Sequence, residues 1–258
     1  MFSGKKYIYL HNWNYCAGLN DMKDRFTEYI KLGIILNLIP ILPKIYLANF
    51  HTKKNNNLLI DYIEIPKFVC NDFNNINKEE IFYWNVTHPF IPNDNLYRNY
   101  KTQIMDLKFN IDFLEKYKII ALEIIKKMKK PICVVHVRRG DYLNIYDTLH
   151  YTTSSENIIN KLKKHRFETC YIKTNEPDLT FFDKLQIYNV KFFKDFDVLQ
   201  QIHDSGDNYA LYSIECCLRN LCDIKISTLN TTQSELCWLP NNDGNFFDDY
   251  LDEHKGYQ

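Results

Sequence analysis

The run ICVVHV at residues 132–137 constrains the fold of this chain more than any other stretch. Its apolar residues do not alternate with polar ones, so it reads as a strand buried on both faces, as in a parallel sheet. Upstream, Leu114, Tyr117, Ala121, Ile124 and Met128 recur at helical spacing, and the basic end KKMKK suits the negative pole of a helix dipole before Pro131 stops the pattern. Downstream the alternation continues. A helix within 155–165, the strand TCYIK, a helix around 178–186, the strand NVKFF, a helix from about Asp207 to Leu221 and the strand CDIKIS lead to TTQSEL, which opens another helix. Strands alternating with helices imply an α/β fold with a mostly parallel sheet.

The N-terminal half opens in the same way. Residues 6–10 read as a strand, and Met22, Phe26, Tyr29, Ile30 and Gly33 follow at helical spacing. The apolar stretch 32–50 is interrupted by Asn37, Pro40, Pro43 and Lys44, so it divides into a helix end, a loop and a short strand, and no membrane anchor is expected. Residues 51–110 are rich in Asn, Pro and aromatics, with strand-like pieces such as LLIDYIEI and no helical period. The expected organisation is two Rossmann-like halves, 1–130 and 131–258, with a ligand cleft at the carboxyl ends of their strands.

At 258 residues, 45% hydrophobic and 15% aromatic, the chain can bury a sizeable core. Lys plus Arg equals Asp plus Glu at 32 each, so no global field attracts nucleic acid or an anionic membrane. The eight cysteines form no CxxC pair, and Cys216, Cys217 and Cys222 cluster on one helical segment, which favours thiols. With no signal-peptide pattern in MFSGKKYIYLHNW, a reducing, cytoplasmic compartment is expected, and the sequons at Asn85 and Asn230 are read as chance matches.

Directly after ICVVHV come Arg138, Arg139, Gly140 and Asp141, with His136 inside the strand. Such a cluster can be a solvated surface loop. It can also be an anion site, because arginine presents a planar fork of donors matched to phosphate oxygens and stays charged. Adjacent side chains on extended backbone point to opposite sides, so one arginine can grip a diphosphate while the other braces the loop. Asp141 can orient an arginine or accept a proton.

HVRRGDY resembles the H-x-R-R-x-D motif of the fucosyltransferase superfamily, which includes α1,2- and α1,6-fucosyltransferases and is related to the protein O-fucosyltransferases. Three further segments are similar to family motifs in family order. AGLNDMKDRF resembles the glycine-rich turn and first helix, with Gly18, Leu19 and Asn20 in place and Asp21 where Asn or Gln is usual. CYIKTNEPD is similar to the strand ending in S/T-D-D/N-P, with Thr174, Asn175 and Glu176 in its loop. ECCLRNLCDIKISTLNTTQSELCWL resembles the third motif, with Glu215 at the acidic position and Thr228, Asn230, Thr231 and Thr232 in the turn, while Leu229 and Asn230 depart from the usual pattern.

The resemblance implies two Rossmann-like domains of the GT-B glycosyltransferase kind, an N-terminal acceptor side and a C-terminal nucleotide-sugar side. It implies GDP-fucose as donor substrate, a glycan hydroxyl as acceptor, inversion at the anomeric centre, and neither metal nor cofactor. On that basis Arg138 would meet the leaving diphosphate, with Asp141 or Asp21 as general base. Gly18, Asn20, His136, Arg139, Thr174, Asn175, Glu176, Glu215, Thr228, Asn230, Thr231 and Thr232 would line the donor site. A catalytically inactive nucleotide-sugar or glycan-binding module of the same fold is the alternative, and a structural protein of unrelated α/β fold a third. The competing metal motif is Asp195 and Asp197 in KDFDV, which also reads as a solvated turn, and no P-loop, dinucleotide fingerprint, nucleophile elbow or zinc spacing is present.

Overall fold

The computed structural model describes residues 2–11, 17–49, 52–54, 56–85, 95–139, 143 and 148–228. Its contacts divide the chain into two compact units, Met1–Leu114 and Glu115–Gln258.

In the first unit β1 (Tyr7–His11) is the centre of a parallel three-stranded sheet, flanked by β2 (Ile39–Pro40) and β3 (Ile81–Asn85). Helix α1 (Leu19–Ile35) covers one face, burying Met22, Phe26, Tyr29, Ile30 and Leu32 completely. Close approach of its far end to the sheet requires Gly33, since a Cβ there would stand 2.6 Å from Cγ of Pro40. Tyr29 fastens helix to sheet. Its hydroxyl lies 2.6 Å from the Ile8 carbonyl and 2.8 Å from the Ile41 carbonyl, and it accepts from the Ile41 N–H at 3.1 Å. Burial pushes the phenol well above its ordinary pKa, so it remains a neutral donor.

Residues 51–110, which show no helical period in the sequence, contain both β3 and the helix α2 (Asn95–Asp106). The strand-like LLIDYIEI is instead a short 3₁₀ turn, Leu59–Asp61, between isolated bridges from Tyr46 to Leu58 and from Ile63 to Phe113.

The second unit begins with α3 (Glu115–Lys126), so the boundary falls before this helix rather than at residue 130. The reason is packing. The buried face of α3, Tyr117, Ala121 and Ile124, belongs with α7 (Asn208–Leu221) of the same unit. The sheet is four-stranded and parallel, in the order β6 (Val190–Lys191), β5 (Thr169–Thr174), β4 (Ile132–Val137), β7 (Ile224–Ser227). All six residues of β4 are buried, as its lack of alternation requires. Cys133, Val135 and Val137 share a cluster with Ile158 and Leu162 of α5 (Ser155–Leu162) and with Cys170, Ile172, Phe182 and Leu185. The segment read as a helix near 178–186 is a 3₁₀ run, Leu179–Tyr188.

Two short helices complete the described part, α4 (Thr148–Thr152) and α6 (Asp197–Asp204). KDFDV is therefore not a simple turn: Asp195 accepts the Phe192 N–H at 2.7 Å at the end of a 3₁₀ turn, and Asp197 starts α6. The Asp223 carboxylate accepts the Ile132 N–H at 2.8 Å, tying the entry of β7 to that of β4. No described helix is long and apolar enough to cross a membrane, and the six described cysteines are free thiols.

Tyr29→Phe would keep the packing and the 2.9 Å bond from the Ile41 N–H to the Ile8 carbonyl, but would remove the hydroxyl's hydrogen bonding to the Ile8 and Ile41 carbonyls. A loss of about 1–3 kcal/mol in denaturant unfolding is expected, with an unchanged m-value.

Candidate functional site

The end of β4 places two adjacent arginines in different surroundings. Arg139 turns inward and is 9% exposed. Its backbone N–H donates to Oδ1 of Asn175 at 2.7 Å, its Nε to Oε2 of Glu176 at 2.7 Å, and its Nη1 to the Thr153 hydroxyl at 2.8 Å. The guanidinium carbon stacks over the Phe181 ring, 3.8 Å from its centroid. Arg138 is half-buried rather than enclosed. One arginine is thus a brace, and the other remains at the carboxyl edge of the sheet with part of its surface towards solvent.

The brace comes from three separate elements. Thr153 follows α4 and hydrogen-bonds back to the Leu149 carbonyl, which fixes the hydroxyl that receives Arg139. Asn175 and Glu176 belong to the loop after β5, where the Thr174 hydroxyl accepts the Glu176 N–H at 3.0 Å and so folds the loop back on itself. Phe181 comes from the 3₁₀ run. The candidates Thr174, Asn175 and Glu176 are thereby engaged with the arginine loop. Thr153 and Phe181 carry no motif and could not be singled out from sequence.

His136 is buried within β4, in register with Lys173 on one side and Ser227 on the other. Thr228, fully buried, donates to the His136 carbonyl from both its N–H, at 3.1 Å, and its hydroxyl, at 3.2 Å. It hooks the chain after β7 onto the central strand. Lys161 reaches the same edge, donating to the Ser227 carbonyl at 2.8 Å.

Below that edge lies a buried ionisable cluster. Glu215 on α7 accepts the Tyr171 hydroxyl at 2.7 Å. Burial pushes the Glu215 carboxyl up to about 7, a rise that nearby Lys173 and the Tyr171 hydrogen bond limit. Glu215 thus contacts the sheet core rather than open solvent.

In the first unit, Gly18 caps the start of α1 and Asn20 donates to Oδ2 of Asp24 at 3.1 Å. Asp21 is completely buried, and Nε of Arg25 lies 3.0 Å from both its carboxylate oxygens. The acid sits in the first helical turn and is paired with an arginine one turn on, so helix dipole and ion pair favour the same arrangement. That geometry is that of an internal strut more than of a base presented to an acceptor. Asp141, Asn230, Thr231 and Thr232 lie outside the described residues, and among those described no cluster of three or more His, Cys, Asp or Glu could hold a metal.

The two parallel α/β units define the class: the chain has a GT-B-like, fucosyltransferase-like fold. It is similar to the crystal structure of POFUT1 in complex with GDP, with a TM-score of 0.53 at 9% identity, covering 97% of this chain and 94% of that one. Similarity to POFUT1 in complex with GDP-fucose is the same, at 0.53 and 10% identity over 97% and 95% of the two chains. The NodZ α-1,6-fucosyltransferase soaked with GDP-fucose follows at 0.50 and 11% identity, over 96% and 92%. No protein-family model and no curated protein sequence matches the chain.

Two outcomes follow from this geometry. Glu176→Ala leaves Arg139 buried without its carboxylate and should cost on the order of 3 kcal/mol, whereas Arg139→Met/Glu176→Ala should recover part of the loss, both read by denaturant unfolding. Glu215, raised from 4.5 to about 7, binds its proton more tightly in the folded than in the unfolded state. Stability should therefore fall by a few kcal/mol as pH rises from 4.5 to about 7 and level off above, and Glu215→Gln should remove that decline.

Proposed function

We propose that the protein is an inverting, metal-independent glycosyltransferase that moves fucose from GDP-fucose to a hydroxyl of a glycan acceptor. The observation that carries this reading is the division of labour between Arg139, locked by Glu176 and Thr153, and Arg138, left at the carboxyl edge of the central strand. The carboxyl edge is where open parallel sheets bind ligands. A fold similar to proteins solved with GDP and GDP-fucose supports the choice of donor.

In this mechanism the bond from the anomeric carbon to the diphosphate oxygen breaks as the acceptor oxygen attacks from the opposite face. Negative charge grows on the departing β-phosphate. Arg138 meets it with a bidentate, permanently charged fork, in place of the metal ion that other enzymes use. Arg139 does not touch the donor. It fixes the loop from which Arg138 projects, and His136 and Thr228 hold the neighbouring strand ends together. The acceptor proton goes to a carboxylate, and Asp141 in the arginine motif is assigned that role over Asp21, which Arg25 already clamps. The N-terminal unit is assigned the acceptor and the C-terminal unit the nucleotide.

GDP and GDP-fucose should raise the thermal midpoint, and UDP-sugars should not, because only a ligand of the native state shifts it. Arg138→Ala should reduce turnover about a hundredfold or more, and Arg138→Lys should restore part of it. EDTA should leave turnover unchanged. Donor binding without transfer or hydrolysis, with any acceptor, would support an inactive binding module instead. Equal or absent shifts for all nucleotides would overturn the transferase and the nucleotide-sugar-binding readings.

A further inference from the structure

We propose that Lys173 and Cys216 are a redox modification site, at which hydrogen peroxide drives a thiol-reversible sulfenamide bond that ties β5 to α7. Nζ of Lys173 lies 3.1 Å from Sγ of Cys216. The lysine is 5% exposed and its ammonium sits over the Tyr212 ring, 3.7 Å from the centroid, a contact that favours its place beside the sulfur. Cys216 is partly exposed, whereas Cys217, Cys222, Cys133 and Cys170 are buried. A small oxidant can thus reach the one sulfur on this face that already touches an amine.

The surroundings suit the chemistry. Reactive cysteines sit in electropositive, partly exposed places, and their sulfenic acids condense with a thiol or a nearby nitrogen. Cys217 is the next residue on α7, and adjacent helical residues do not face each other, so the amine and not that thiol is the neighbour in line. In the first step sulfur attacks the O–O bond: Cys–SH and H2O2 give Cys–SOH and water, with sulfur oxidised by two electrons and peroxide reduced. In the second step the lysine ammonium gives up a proton, and the free amine attacks sulfur as the S–O bond breaks: Cys–SOH and Lys–NH3⁺ give Cys–S–NH–Lys, water and a proton. An external thiol then attacks sulfur, releasing the lysine amine and leaving a mixed disulfide that a second thiol reduces.

The position gives the bond a structural reach. Lys173 directly precedes Thr174, Asn175 and Glu176, the loop that holds Arg139. The proposal does not depend on the transfer reaction, because its readout is the covalent state of two side chains.

The native protein treated with hydrogen peroxide should lose two hydrogens in intact mass. Peptide mapping should join the segments holding Lys173 and Cys216, and dithiothreitol should restore the starting mass. In Lys173→Arg, oxidation should stop at the sulfenic acid, and a 1,3-diketone probe should label Cys216 severalfold more than in the native protein. A two-hydrogen loss that maps to a disulfide, oxidation of native Cys216 onward to sulfinic acid, or equal diketone labelling with and without Lys173 would each overturn the proposal.

Discussion

The structure at the end of the central strand depends on the burial of Arg139. A guanidinium withdrawn from water is costly unless its donors are met, and here a carboxylate, a hydroxyl and an aromatic face meet them together. Three segments that are far apart in the chain are thereby fixed to one another: the residues directly after β4, the segment after α4 and the loop after β5. Any role for Arg138 depends on this, since a charged donor stabilises a developing charge only when its position is set beforehand.

The N-terminal unit shows the same economy with different groups. Tyr29 bonds the Ile8 carbonyl of β1 and the backbone of Ile41, directly after β2, from within one helix, and Asp21 and Arg25 form a wholly buried pair on that helix. The Tyr29 contacts specify how α1 lies on its sheet, which apolar burial by Met22, Phe26 and Ile30 drives but does not orient.

Much of the fold was legible in the sequence because burial on both faces leaves a strong mark. β4 reads directly from ICVVHV, α1 and α3 from apolar spacing, and α5 and α7 from the alternation of strands with helices. The elements that escaped are those with weak signals. Helix α2 buries only Tyr97 and Ile104, too narrow a stripe to show a period. In β3 the exposed Tyr83 stands beside the buried Trp84, so aromatics on both faces mask the alternation. In the run Leu179–Tyr188 the buried Phe182 and Leu185 are three apart, a spacing common to 3₁₀ and α-helix. The site was legible in part. Sequence placed two arginines at a strand end and allowed one to grip and one to brace, but the partners that decide between them, Thr153, Glu176 and Phe181, come from elsewhere in the chain.

In the proposed reaction one arginine meets the nucleotide diphosphate while its neighbour never leaves the protein. A crystal structure of the protein with GDP tests it most directly. The diphosphate should lie at the carboxyl edge of β4, within hydrogen-bond distance of the Arg138 guanidinium, with Arg139 still on Glu176 and Thr153. A diphosphate bound away from that edge, or one that draws Arg139 off Glu176, would contradict it.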